Sequence, residues 1–351
     1  MKPVQLANQS SSWFGAEGPG WEIVVSSRVR LARNLAGYEF LSCLTPQRQQ
    51  EILDKLHEAI LAIDLGGAVS FIDVDRAANI ERQLLMERHL ISRQHVAGKG
   101  PRGVVIAFGE DFTAMINEED HLRMQVYASG FNLDKCWQQI SRIDDMIERK
   151  LEYAFHPRLG YLTACPTNLG TGIRISVMLH LPAMKLTGQI EKFLTAAKDA
   201  DLTVRGLFGE GTDAIGDLFQ LSNQVTLGVC EQDVVRDLAE NIVPRIVEYE
   251  KAARRTMLDQ KPHALDDKIQ RAMGVLKNAC LISSQEALYL LSSVRLGVNL
   301  GRIPELSLTR VNELFLLTQP AHLQIRAGKM LDADQRDTLR AKVIREYLNR
   351  N

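Results

Sequence analysis

The chain has 351 residues, with 42 Lys and Arg against 43 Asp and Glu, so no global charge draws it to nucleic acid or an anionic membrane, and any anion site must be local. A hydrophobic fraction of 45% suits a globular protein, long enough for one large and one smaller domain at roughly 100 to 200 residues each. Five scattered cysteines without a Cys-x-x-Cys pair point away from a zinc site or a disulfide framework, and no apolar run nears the ~20 residues of a membrane span, so a cytoplasmic location is expected.

Residues 1–21, polar and ending in Gly18-Pro19-Gly20, are expected to form a flexible leader. Thr45-Pro46 then opens a helix, with Ile52, Leu53, Leu56 and Ile60 on one face, and a second helix is expected over 76–89. From Gly103 the period becomes two. Leu122, Met124 and Val126 alternate with Arg123, Gln125 and Tyr127, and Ile173, Ile175, Val177 and Leu179 alternate with Arg174, Ser176 and Met178, so both strands should send arginines to the polar face. Ile140, Ile143, Ile147 and Leu151 mark a long amphipathic helix between them. Further strands are expected at 204–208 and 219–227. Beyond about residue 254 strand signals stop, and helices are expected at 268–278, 284–294, 309–317 and 334–348, the second with a Ser283-x-x-Glu286 cap. The pattern predicts an α+β fold on a largely antiparallel sheet over 22–254, then a small all-helical domain over 255–351.

Four segments carry chemistry: Ser26-Ser27-Arg28-Val29-Arg30, Asn117-Glu118-Glu119-Asp120-His121-Leu122-Arg123, Cys165-Pro166-Thr167-Asn168-Leu169-Gly170-Thr171, and Arg205-Gly206-Leu207-Phe208-Gly209-Glu210. Guanidinium forks suit phosphate oxygens, and paired carboxylates suit a guanidinium that must lose a proton. There is no phosphate-binding Gly-x-x-x-x-Gly-Lys-Ser/Thr loop and no protein-kinase catalytic loop. In type and order the four segments resemble the phosphagen (guanidino) kinases, over about residues 22–253.

The resemblance implies ATP and Mg2+ as cofactors, the metal held mainly by nucleotide phosphates and water and by no metal-ligand set of the protein. Arg28, Arg30, Arg123, Arg174 and Arg205 match the family's phosphate arginines. Their neighbours Ser26, Ser27, Val29, Ile175, Ser176, Val177, Met178, Gly206, Leu207, Phe208 and Gly209 would line the nucleotide site with His89, and Gly170 and Gly172 would pass close to phosphate. Glu119 matches the catalytic base, Glu210 a second substrate-orienting glutamate, and Cys165 the cysteine beside the acceptor guanidinium. Glu118 and Asp120 would be supporting groups, acting through magnesium-bound water.

The helical N-terminal domain of creatine and arginine kinases has no counterpart before Trp21, Met178 stands where those enzymes have a histidine, and Asp213 replaces a glutamate. The short N-terminus and helical C-terminus resemble the bacterial protein arginine kinases, including Arg336-Asp337-Thr338-Leu339-Arg340-Ala341, a motif associated there with allosteric phosphoarginine binding. Arg336 and Arg340 should share a helix face able to hold phosphate, with Asp337 taking a guanidinium and Ala341 completing the site. The implied activity is phosphorylation of protein arginines in the stress response and protein quality control. The implied partners are protein substrates, an activating zinc-binding adaptor, a heat-shock repressor, the Clp unfoldase and protease, and further copies of the chain in a homodimer or larger homo-oligomer. A kinase of a free guanidino compound is the alternative, and a non-catalytic phosphoarginine-binding adaptor a third reading.

Overall fold

The computed structural model describes residues 6–7, 11–207 and 215–349. Its frame is an eight-stranded antiparallel sheet in the order β2-β3-β4-β5-β1-β8-β10-β9, with β1 at Val24–Arg33, β2 at Val69–Asp73, β3 at Gly103–Ala107, β4 at Phe112–Ile116, β5 at Leu122–Ser129, β8 at Ile173–His180, β9 at Leu202–Arg205 and β10 at Leu218–Asn223. A separate hairpin, β6 at Phe155–His156 and β7 at Gly160–Tyr161, lies apart from it.

The two-residue alternation sorts the faces. Val29, Leu31, Met124, Val126, Ile175 and Val177 enter the main core against the helices Pro46–Leu61, Leu133–Glu148, Ile190–Asp199 and Val243–Gln260, where apolar burial stabilises the sheet from one side. Arg28 and Arg30 of β1, Arg123 of β5 and Arg174 of β8 take the opposite face, whereas Arg33 at the end of β1 stays on the core side and meets Asp144 of the Leu133–Glu148 helix. Thr45 Oγ1 accepts the Arg48 amide at 3.4 Å, and Ser283 Oγ accepts that of Glu286 at 3.2 Å, so both expected caps form. The strand expected over 219–227 stops at Asn223, whose side chain accepts the Ile175 amide at 2.7 Å and donates to the Ile173 carbonyl at 3.3 Å. That amide takes over the ladder's next step and releases the backbone into a loop.

The helices Pro262–Asn278, Ser284–Asn299, Leu308–Leu317, Pro320–Ala327 and Ala333–Leu348 do not stand apart. They bury Leu265, Leu288, Leu291 and Phe315 in one cluster with Val25, Tyr127, Met178 and Leu218 from the sheet's second face. Glu87 fixes the Pro320–Ala327 helix by accepting the amides of Ala321 at 2.8 Å and His322 at 3.1 Å, and its carboxylate also meets His322 Nδ1 at 2.9 Å.

Within the described part of the expected flexible leader, residues 11–21, the structure departs from the expectation. Trp13 is 1% exposed and Phe14 2%; the Trp13 ring stacks on Tyr127 with centroids 5.2 Å apart and meets His89 edge-on at 5.2 Å. Ser11 Oγ donates to Glu110 at 2.6 Å, Asn312 donates to the Phe14 carbonyl at 3.0 Å, and Arg295 donates to the carbonyls of Trp21 and Glu22 at 3.0 Å each. Average polarity concealed two aromatics that wedge between sheet and C-terminal helices. Trp13→Ala should therefore cost about 3 to 5 kcal/mol in denaturant unfolding; a loss within about 0.5 kcal/mol, as at a surface position, would show the wedge to be incidental.

Candidate active site

On the sheet's polar face, Arg28 and Arg30 from β1, Arg123 from β5 and Arg205 from the end of β9 line one cleft. Arg174 stands opposite Arg30 in the β1–β8 register. The five sequence-predicted arginines thus come from four strands onto one face. Arg28 is held by donation to Ser176 Oγ at 3.0 Å and Tyr127 OH at 2.9 Å. Arg30 is in the opposite condition: its Nε is buried without a hydrogen-bond partner among the described residues, and burial, then Arg28, Arg123 and Arg174, pull its pKa well below the ordinary arginine value. Arg30 thus stands in a cluster of like charges.

One carboxylate offsets part of this. Glu118, buried, meets Arg123 at 2.7 Å and accepts the Glu119 amide at 3.0 Å and the Ser92 hydroxyl. Burial alone would raise its pKa, but Arg123 and the Ser92 bond outweigh it and hold the carboxyl below its usual range; reciprocally, Glu118 raises Arg123 against its own burial. Arg93, from the short helix Arg93–Ala97, also lines the cleft. No local sequence signal singled it out, because only the chain's return past β5 brings it there.

The acidic turn and the cysteine loop are tied at Asp120. Its Oδ1 accepts from Asn34 Nδ2 at 2.6 Å and from the Ala164 amide at 2.7 Å; Asn34 also donates to the Leu162 carbonyl at 3.0 Å and accepts the His121 amide at 2.9 Å. Glu119 and Cys165 are the chain neighbours of the two residues so joined. The side chains of Glu118 and Asp120 hold Arg123 and the cysteine loop, respectively. Cys165 is partly exposed, with Sγ 3.0 Å from Thr167 Oγ1, and it is not among the residues lining the arginine cleft.

The remaining expected residues divide by face. Ser26, His89, Ser176 and Met178 line a small recess beside the arginines with Trp13, Tyr127 and Gln220. Ser27 bonds Gly130 and Asn132, and Val29, Ile175 and Val177 point into the main core, so their side chains turn away from the cleft, as strand alternation requires. Leu207 is buried in the cluster with the C-terminal helices and Gly206 continues from β9, while Phe208, Gly209 and Glu210, with Asp213, lie outside the described residues. Gly170 and Gly172 are required by packing: at φ +107° and +64°, a Cβ would stand 2.4 Å from the Thr226 carbonyl and 2.6 Å from that of Ala32. His89, at φ +60°, has its imidazole pKa lowered to about 3 by burial and by Arg28, so it is neutral near pH 7.

In the C-terminal motif, Ala341 is buried and Arg340 is not a free phosphate ligand. It is 1% exposed, donates to the carbonyls of Thr318 at 2.9 Å and Ile282 at 2.8 Å, and closes onto Asp337. Arg336 donates to the Leu331 carbonyl at 2.8 Å. Asp337 is thus paired with Arg340, which fastens the Ala333–Leu348 helix to two loops.

Residues 51–253 match the family described as ATP:guanido phosphotransferase, C-terminal catalytic domain, and residues 262–351 match the protein-arginine kinase McsB C-terminal domain. The chain is 44% identical over 347 residues to the protein-arginine kinase of Desulforamulus reducens, covering 98% of this chain and 97% of that one. It is 44% identical over 346 residues to that of Brevibacillus brevis, covering 98% and 96%. Among solved structures, a lombricine kinase aligns with a TM-score of 0.59 at 25% identity over 71% of this chain and 70% of that one. The duplicated taurocyamine kinase of Schistosoma mansoni, with bound transition-state analogue components, aligns at 0.61 and 26% over 76% and 39%. With five arginines brought to one face of the sheet and this similarity along nearly its whole length, the chain belongs to the protein-arginine kinase family.

Proposed function

We propose that the protein transfers the γ-phosphoryl group of ATP to arginine side chains of other proteins. The observation that carries this reading is the arginine-lined cleft with an under-neutralised Arg30 at its centre, next to an acidic turn fastened to the cysteine loop through Asp120. Such a cleft suits a triphosphate, and charge stabilisation with in-line positioning is most of what phosphoryl transfer asks of a protein. Magnesium would be held mainly by the nucleotide's phosphates and water and would supply charge neutralisation on the transferring group.

Arg28, Arg30, Arg123, Arg174 and Arg205 take the phosphates, with Arg93 added to them, and the recess of Trp13, Ser26, His89, Ser176 and Met178 lies on the nucleoside side. A neutral His89 adds no positive charge there. Glu119 accepts the proton of the acceptor guanidinium as its nitrogen forms the N–P bond and the bond from the γ-phosphorus to the bridging oxygen breaks, releasing ADP. Cys165 helps orient the guanidinium, and Glu210 is its second carboxylate. At the C-terminus, phosphoarginine would be read by Arg336 and by Asp337 once Arg340 shares it. Proteins with exposed arginines are the substrates, and action in the cytoplasm with an activating zinc-binding adaptor, a heat-shock repressor and the Clp protease, in stress response and quality control, fits this chemistry, as does assembly into a homo-oligomer.

Incubation with ATP and a protein substrate should place acid-labile phosphate on arginine by mass spectrometry, and stable phosphate on serine or threonine would overturn the activity. Glu119→Gln should lower turnover by ~10²- to 10⁴-fold while keeping nucleotide binding; near-normal turnover would remove Glu119 as the base. Arg30→Met removes a buried like charge, so without nucleotide its stability should be unchanged or raised by about 1 to 4 kcal/mol. The added stability that saturating ATP confers, about 2.7 kcal/mol at a hundred times Kd, should shrink in the same variant. A variant destabilised without nucleotide yet stabilised normally by ATP would show that Arg30 is structural.

A further inference from the structure

Asn34, the residue after β1, is buried, and its side chain joins two segments far apart in the chain. Nδ2 donates to Asp120 Oδ1 at 2.6 Å and to the Leu162 carbonyl at 3.0 Å, while Oδ1 accepts the His121 amide at 2.9 Å. A backbone carbonyl only accepts and a backbone amide only donates, so the carboxamide fits one way round. Its backbone is tied to the same place: the Asn34 carbonyl accepts the Ala154 amide at 2.7 Å, and the Ala154 carbonyl accepts that of Leu162 at 2.8 Å.

Glu119 stands at the tip of a tight turn, in which the Asn117 amide donates to the His121 carbonyl at 2.9 Å and the Glu118 amide to that of Asp120 at 3.2 Å. Both sides of the tip are fastened. Glu118 meets Arg123, and Asp120 accepts from Asn34 and from the Ala164 amide. His121 adds a third hold: its Nδ1 accepts the Leu35 amide at 3.1 Å, which leaves the proton on Nε2 for the Glu39 carbonyl at 2.9 Å. All three side-chain bonds of Asn34 thus run to the acidic turn or to the segment entering the cysteine loop. We infer that Asn34 is a positioning residue for phosphoryl transfer. Through Asp120, His121 and Leu162 it sets the backbone carrying Glu119 against that carrying Cys165, and so aligns the acceptor guanidinium with the nucleotide. This rests on the assignment of Glu119 and Cys165 to the acceptor. The effect belongs to the rate, because a displacement of about 1 Å at a reacting group costs up to ~10²-fold.

The test uses the full chain with ATP and a peptide carrying one arginine. Asn34→Leu keeps the side chain's size and removes all three bonds; it should lower kcat by about ten- to a hundredfold, while ATP affinity, followed by calorimetry, stays unchanged. In the same variant, without substrates, the rate of Cys165 alkylation by iodoacetamide should change, resolved by peptide mass mapping from that of the exposed Cys43, Cys230 and Cys280. Asn34→Ser, which keeps one donor and one acceptor, should fall between wild type and Asn34→Leu, and it serves alone if the leucine variant fails to fold. Because Asn34 acts through Asp120, adding Asn34→Leu to Asp120→Ala should lower kcat little further than Asp120→Ala does by itself. Normal kcat or unchanged Cys165 alkylation in a folded Asn34 variant overturns the inference, as do fully additive losses in the double variant. An equal loss of ATP affinity and kcat also overturns it, since Asn34 would then support the whole cleft. Glu119→Gln separates the two readings: its inactivity beside a fully active Asn34→Leu removes Asn34 alone, whereas its normal turnover rejects the acceptor assignment itself.

Discussion

Like charges crowded onto one face of a sheet are the constraint on which the rest of this structure depends. Arg30 is half-buried with its Nε out of water, and it has Arg28, Arg123 and Arg174 around it, an arrangement that costs free energy in the absence of an anion. The scaffold bears that cost in two ways. Neighbouring strands fix the backbone positions through a continuous antiparallel ladder, and Glu118 pairs with Arg123 at 2.7 Å, so part of the charge is offset within the fold and the arginines are held in place in advance.

A second set of buried polar contacts holds the acidic turn and the cysteine loop. Asn34, directly after β1, joins Asp120, His121 and Leu162, while its neighbour Arg33 meets Asp144 at 2.6 Å, donates to the Thr171 carbonyl at 2.8 Å and lies over the Tyr161 ring at 3.6 Å. Two consecutive residues therefore orient both the acidic turn and the cysteine loop relative to the strand that carries Arg28 and Arg30. Satisfied buried networks of this kind rigidify a site, because breaking any member leaves a partner unpaired in a dry environment.

The C-terminal helices reach the same cleft through three consecutive residues. Glu87 grips the Pro320–Ala327 helix, Arg88 is buried against Glu110 at 2.7 Å and Ser11 at 2.9 Å, and His89 lines the cleft. At the far end, Arg340 holds Thr318, which precedes that helix. The path is contiguous, and it would transmit a signal only if a ligand favours one of two arrangements of these contacts.

What the sequence by itself determined was periodic or motif-borne. Alternation in β5 and β8 set Arg123 and Arg174 on the polar face, Thr45 and Ser283 marked helix starts, and the four segments identified the family. Tertiary structure decided what depends on distant groups meeting. That the buried face of a polar-looking leader would be Trp13 and Phe14, that Arg93 would join the cleft, that Glu118 and Asp120 would be structural partners, and that Arg340 would be fastened inside its own chain could not be read locally. Charge and hydrogen-bonding capacity are written in each residue type, but which partner satisfies them is set only when the chain folds and excludes the water that would otherwise do so.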